Sequence, residues 1–197
     1  MAFHIEDFAG VLGAAIMVEP TPPGPNSSSP FSSKDIVMNK KLLSLREHYD
    51  LQDRQGNYLG EADGNFFQLP AKFTVFDRNH SEVMHLEGKI LSLRKRFNIK
   101  DSSGNELGVI RKKLMRLFGS EYWLERNSVE FMRIYGNFTE HDYQMAVNQV
   151  EVARVHKTWV SIRDQFNISI TADIDPRVVI GSAIVIEHEE VTERRHR

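Results

Sequence analysis

The strongest local signal in the sequence is positive charge between Lys89 and Arg116. Nine basic residues against two acidic ones leave a local charge of +7, in a chain whose formal net charge is -2. Two basic triplets flank a turn in this stretch: Arg94, Lys95, Arg96 and Arg111, Lys112, Lys113. Antiparallel pairing would bring the triplets side by side, and neighbouring like charges favour an anion between them. Each basic residue near an anionic membrane contributes about 1 kcal/mol, so the triplets predict a site for an anionic lipid headgroup or membrane surface. The other interpretation is a solvated strand edge that resists aggregation.

Other reactive chemistry is sparse. Gly181-Ser182 lies in an apolar segment without the flanking pattern of a nucleophile elbow, and the eight histidines are scattered without ligand spacing. The turn at Asp53 resembles a calcium loop, but Gly64 stands where the bidentate glutamate would be. The turn at Asp101 has Lys112 at that position. We therefore predict no catalytic residue, no metal site and no cofactor.

Composition indicates one soluble domain of ordinary type. The chain has 197 residues, of which 41% are hydrophobic and 26% charged, which suffices for a sizeable core. The absence of cysteine excludes disulfides and cysteine-based zinc sites and fits a reducing compartment. The apolar stretches Phe8–Val18 and Val178–Ile186 are too short to span a bilayer, and no Lys or Arg precedes the first as a signal peptide requires. We expect a cytoplasmic protein that could associate peripherally with a membrane.

The N-terminal part differs in composition from the rest. Five of the seven prolines lie between Pro20 and Pro30, which predicts an extended linker. The segment Phe8–Val18 is interpreted either as an interaction or membrane-touching segment or as a strand or short helix that docks on the domain. We expect a tail over residues 1–34, which could recruit a protein partner, a folded domain over residues 35–190 and a charged C-terminal tail over residues 191–197.

One pattern recurs along the body of the chain. An aromatic residue opens an alternating strand, a polar turn follows, and then comes a second apolar strand. Three copies open 24 residues apart, at Tyr49, Phe73 and Phe97. Weaker copies open at Tyr122, Tyr143 and Phe166. Alternation and turn residues are typical of β-hairpins, so six units predict about twelve antiparallel strands.

The segment after Asp175 departs from this pattern. Asp175 can cap a helix and Pro176 suits its first position, which predicts a helix over about residues 175–189. Apolar residues lie on all its sides: Val178, Val179, Ile180, Ala183, Ile184 and Ile186. Such a helix must be enclosed, and a sheet closed around it would also remove the exposed sheet edges. The alternative is a buried edge strand, because Val and Ile favour β structure.

With these elements the chain resembles the LURP-one-related family, within the tubby C-terminal-like group that also holds the phospholipid scramblases. The similarity lies in the units Tyr49–Leu59, Phe73–Met84 and Phe97–Ile110, the run Arg111–Leu114 and the segment Ala172–Ile180. It covers about Ile36 to Ile186 and implies a twelve-stranded barrel threaded by a hydrophobic helix. Tubby proteins bind phosphoinositides, and scramblases are associated with lipid movement and calcium. Since the cysteine-rich palmitoylation segment of scramblases is missing, scramblase activity is not predicted.

Together these observations predict a mainly β protein, a twelve-stranded antiparallel closed barrel enclosing a C-terminal α-helix. We expect a non-enzymatic module that binds anionic phospholipid headgroups through the basic hairpin. A structural or regulatory protein-interaction module is the alternative, and an enzyme with an unrecognised pocket is the second. Nucleic acid is disfavoured because no recognition signature accompanies the charge. The sequence gives no oligomeric state.

Overall fold

A computed structural model describes residues 31–41, 47–65, 70–91, 94–115, 119–160 and 163–195. The strands are β1 (Asp35–Lys40), β2 (Glu47–Asp53), β3 (Tyr58–Gly64), β4 (Lys72–Asp77), β5 (Glu82–Leu91), β6 (Arg94–Asp101), β7 (Glu106–Met115), β8 (Gly119–Arg126), β9 (Val129–Asn137), β10 (Asp142–Val147), β11 (Val150–Val160) and β12 (Arg163–Ile170). One helix, α1, spans Pro176–Arg195. The predicted segment Phe8–Val18 and its linker lie outside the described residues. Phe31, four residues before the expected start of the domain, is buried.

The strands form one closed antiparallel barrel, as predicted. Each strand pairs with its neighbours in chain order, and β1 pairs with both β2 and β12. Met38 on β1 thereby lies between Leu51 and Phe166. The sixth predicted unit, which opens at Phe166, is therefore not a continuous hairpin, because its strand β12 pairs with β1 instead of a following strand. Closure leaves no unpaired edge.

The turns that follow Asp53, Asp77 and Asp101 share one geometry. In each, a carboxylate oxygen accepts hydrogen bonds from the backbone N–H groups two and four residues later, at 2.8–2.9 Å. The third residue after each aspartate has a positive φ, in the region that glycine favours: Gly56, His80 and Gly104. These aspartates act as turn caps.

The helix occupies the barrel interior. Asp175 caps it, since the Arg177 N–H donates to Asp175 Oδ1 at 2.9 Å. The six predicted core residues are fully buried: Val178, Val179, Ile180, Ala183, Ile184 and Ile186. The helix prediction is confirmed, and the alternative of a buried edge strand is wrong.

Gly181 marks a close approach between the helix and the wall. A Cβ atom at this position would lie 3.1 Å from both Ile99 Cδ1 and Leu86 Cδ2. Glycine costs helix stability relative to alanine, but here it allows the helix backbone to pack directly on β5 and β6.

The helix is longer than the sequence predicts. It ends at Arg195 rather than at about residue 189, and Glu187 through Glu190 are buried. The helix thus continues past residue 190, where we expected the folded domain to end. Its last turns are part of the folded structure because buried cations on the barrel wall pair with their acidic residues. No helix in the part of the chain described here is both long and apolar enough to cross a bilayer.

Candidate functional site

The antiparallel register of β6 and β7 places Arg96 directly opposite Arg111. The residues next to them, Phe97 and Ile110, face the core and are buried. Alternation along a strand therefore directs both arginines to the outer wall. Arg96 Nε is shielded from solvent and has no hydrogen-bond partner among the described residues.

Arg111 is held in place by an acidic partner on β8. Its Nε donates to Glu125 Oε2 at 2.8 Å, and the Trp123 indole N–H donates to Glu125 Oε1 at 2.9 Å. Burial raises the pKa of Glu125, but the bonds from Trp123 and Arg111 outweigh it and lower that pKa below its usual value. Glu125 is thus ionised and orients both side chains.

The other predicted site residues do not lie together on one face of the barrel. Lys113 is exposed on the same wall as Arg111, whereas Lys112 between them points inward and is 6% exposed. Lys112 Nζ lies 2.7 Å from Glu193 and 3.3 Å from Glu190, both on the helix. Arg94 and Lys95 open β6, and their side chains lie outside the described part.

A buried ionic network surrounds the C-terminal half of α1. Lys40 Nζ lies 3.2 Å from Glu187 and 3.5 Å from Glu47. His141 Nδ1 lies 2.9 Å from Glu187, and His188 Nδ1 lies 2.6 Å from Glu47. Because each carboxylate bridges groups from different elements, the network fixes the helix end to the wall.

Tyrosine hydroxyls extend this network. Tyr122 Oη donates to Glu190 Oε1 at 2.8 Å. Burial, together with the nearby charges of Glu190 and Glu189, raises the pKa of Tyr122 well above its usual value. The hydroxyl therefore stays protonated and acts as a donor. The sequence analysis did not predict this network. The available signal was strand alternation, which places Lys40 and Lys112 at inward-facing positions.

A protein-family model matches most of the chain, including the whole barrel. The model of the LURP-one-related family matches residues 34–187. The chain belongs to the LURP-one-related family. The resemblance predicted from the hairpin units and the segment Ala172–Ile180 is thereby confirmed.

A solved structure gives the same fold for this LURP-one-related chain. An X-ray structure of an Arabidopsis thaliana protein matches with a TM-score of 0.53 and 16% identity, over 80% of this chain and 91% of that one. At this identity the likeness shows the fold alone. Among curated proteins, none matches the sequence significantly.

Glu187 gives this family member a pH-dependent core. Burial raises the pKa of Glu187, but His141, Lys40 and Lys157 outweigh it and lower the pKa from 4.5 to about 2. Because the pKa of Glu187 is lower in the folded state, its ionised form stabilises the fold at pH values above about 4.5. This contribution to the free energy of unfolding is lost as the pH falls from about 4.5 to about 2. We expect about 3 kcal/mol of this acid-sensitive stability to disappear in Glu187→Gln.

Urea denaturation of both proteins at neutral pH and at about pH 3 checks this expectation. The free energy of unfolding should fall less on acidification in Glu187→Gln than in the wild type. Glu130→Gln, at an exposed position, is the control and should follow the wild-type profile. Parallel pH profiles for the wild type and Glu187→Gln would contradict the assignment.

A second polar group lies on the outer face of β2 and β3. Atoms of His48, Asp50 and Glu61 lie within 4.8 Å of one another, a set that could hold a metal ion. The ammonium group of Lys41 lies 3.0 Å from Asp50, so the protein supplies a cation there itself. Burial lowers the pKa of His48, but hydrogen bonds to Asp63 and Asp50 raise it above its usual value. Hairpin pairing, rather than sequence spacing, brings this group together.

Proposed function

We propose that this LURP-one-related protein is a non-catalytic barrel module that binds anionic phospholipid headgroups through the outer face of β6 and β7. The observation that carries the proposal is the direct opposition of Arg96 and Arg111 on the wall. Like charges that face each other across a sheet are destabilising. An anion between them would remove this repulsion, and the partnerless Nε of Arg96 supports the same interpretation.

The chemistry of the pair suits a phosphate group. A guanidinium group presents several N–H donors in a planar fork that matches two phosphate oxygens. Lys113 adds an exposed ammonium group on the same wall. Each such cation near an anionic surface contributes about 1 kcal/mol, so three cations give an affinity sensitive to lipid charge and to salt.

The interior favours a binding role over catalysis. The helix fills the barrel with fully buried aliphatic side chains such as Ile180 and Ile184. The buried charges of Lys112 and Glu187 are engaged in ion pairs that hold the helix. In the described residues, the charged groups available to a ligand therefore lie on the outside of the barrel.

Vesicle co-sedimentation tests the proposal. The protein is mixed with phosphatidylcholine vesicles, with or without phosphatidylserine or a phosphoinositide, and the pelleted fraction is measured. We expect binding only to the anionic vesicles. The double variant Arg96→Glu/Lys113→Glu should bind at least about thirtyfold more weakly, since two contributions of about 1 kcal/mol are lost.

A matched control has the same change in net charge elsewhere. Lys34→Glu/Arg154→Glu replaces exposed residues beside β1 and on β11, and β1 lies opposite β7 in the closed strand order. This control should pellet like the wild type. Equal pelleting of wild type and Arg96→Glu/Lys113→Glu on anionic vesicles, with both folded, would exclude this surface as the binding site.

A further inference from the structure

The Arg96–Arg111 pair is part of a longer row on the barrel wall. The register pairs Lys89 with Arg96 and Arg111 with Trp123, and it pairs Trp123 with Arg133. Five residues at one level therefore cross the neighbouring strands β5 to β9. At a strand spacing of about 4.8 Å, the row is about 19 Å long.

All five side chains of this row lie on the outer wall. Their neighbours along the strands are buried in the barrel: Gly88, Phe97, Ile110, Tyr122, Leu124 and Met132. Arg133 is exposed and the other four residues are half-buried. The row thus places an indole ring between arginines, with a lysine at one end.

The acidic residues of this wall lie at a different level. Glu87 and Glu125 occupy the next outward positions toward the polar turns, and a bulge places Glu130 opposite Glu125. Glu125 holds Arg111, and Glu130 Oε1 accepts from Arg133 Nε at 2.9 Å. On the other side of the row, Lys113 is exposed, and Glu121 lies opposite it. The row is consequently the positively charged band of the wall. The neighbouring carboxylates of Glu125 and Glu130 position its arginines.

We infer that this row docks side-on against an anionic bilayer and that Trp123 is its interfacial anchor. The inference rests on the proposed function and names the contact surface. Tryptophan prefers the membrane–water interface, where an apolar ring meets polar headgroups. Since Glu125 orients both Trp123 and Arg111, the indole and a guanidinium group reach the interface together. The wall is curved, and the long side chains of Lys89 and Arg133 at the ends of the row can reach back to a flat surface.

The inference makes Arg133 a lipid contact although it lies two strands away from the basic hairpin. Arg154→Glu is a closely matched control for Arg133→Glu. Both arginines are exposed on a strand and pair with a glutamate three residues earlier, Glu130 or Glu151. Arg154 lies on β11, outside the row.

The experiment combines co-sedimentation with fluorescence on phosphatidylserine-containing vesicles. The chain has two tryptophans, so Trp159→Phe leaves Trp123 as the single reporter. We expect its emission to shift to the blue on these vesicles and to be quenched by brominated lipid, with no change on neutral vesicles. Arg133→Glu, which needs no tryptophan change, should bind at least about fivefold more weakly, and Arg154→Glu should bind like the wild type.

Two outcomes would overturn the inference, and they differ. If the wild type pellets with the vesicles but Trp123 emission is unchanged and Arg133→Glu binds normally, the row is wrong while lipid binding stands. If the folded wild type does not pellet with anionic vesicles at all, the proposed function fails and the inference fails with it.

Discussion

Replacing Ile180 with aspartate is expected to prevent the barrel from folding. Ile180 is fully buried in the N-terminal half of α1, and the wall beside its neighbour Gly181 presents the apolar side chains of Ile99 and Leu86. An unpaired carboxylate in such surroundings costs several kcal/mol. Domains of this size have a total stability of about 5–15 kcal/mol. Far-UV circular dichroism, size-exclusion chromatography and thermal melting of Ile180→Asp measure the effect.

Two further variants separate the buried charge from the substitution itself. Ile180→Val removes one methylene and should cost about 0.5–1.5 kcal/mol while the barrel still folds. Val129→Asp adds the same charge at a residue that is 67% exposed, where effects stay within about 0.5 kcal/mol. A soluble Ile180→Asp protein with the melting temperature of the wild type would disprove the enclosed helix.

The sequence contained most of the fold because each hairpin carries its own local signals. Alternation assigns a core face to each strand, and Asp53, Asp77 and Asp101 fix turns that the structure shows with common hydrogen bonds. Closure follows from a different kind of signal. A segment that is apolar on all sides needs a container, and only a closed sheet encloses it completely.

The end of the helix could not be predicted in this way. Glu187, Glu189 and Glu190 interrupt the apolar run and suggest a solvated tail, yet they are buried. Their partners come from distant strands: Lys40 lies 147 residues from Glu187 in sequence. Sequence spacing gives no sign of pairs that only barrel closure brings together.

The candidate site likewise has a part that local sequence signals predict and a part that depends on pairing between distant strands. That the two basic triplets lie side by side follows from one hairpin and was predicted. The direct pairing of Arg96 with Arg111 was not predicted. The alignment of Lys89, Trp123 and Arg133 with this pair depends on the register of three further strand pairs. A bulge between Ile99 and Lys100 shifts the register of β6 and β7, and a bulge between Leu124 and Glu125 shifts the register of β8 and β9. The sequence specifies neither bulge.

Lys112→Glu is expected to destabilise the barrel by about 3–5 kcal/mol or more, because it breaks a buried ion pair and adds a like charge. Lys112 is 6% exposed and lies within 4 Å of three helix carboxylates: Glu189, Glu190 and Glu193. Reversing its charge places a fourth carboxylate among them. Urea denaturation of Lys112→Glu measures the loss of unfolding free energy.

The neighbouring lysine is the matched control, since Lys113→Glu makes the same change at an exposed position of the same strand and should shift stability by about 0.5 kcal/mol at most. The charge swap Lys112→Glu/Glu190→Lys should recover part of the loss, which a steric defect would not allow. Equal stability of the Lys112→Glu and Lys113→Glu proteins would show that Lys112 is not a buried partner of the helix.

The contrast between buried Lys112 and exposed Lys113 also decides how vesicle experiments are interpreted. Reduced lipid binding by Lys113→Glu reports on the wall, whereas reduced binding by Lys112→Glu reports on the loss of the helix anchor.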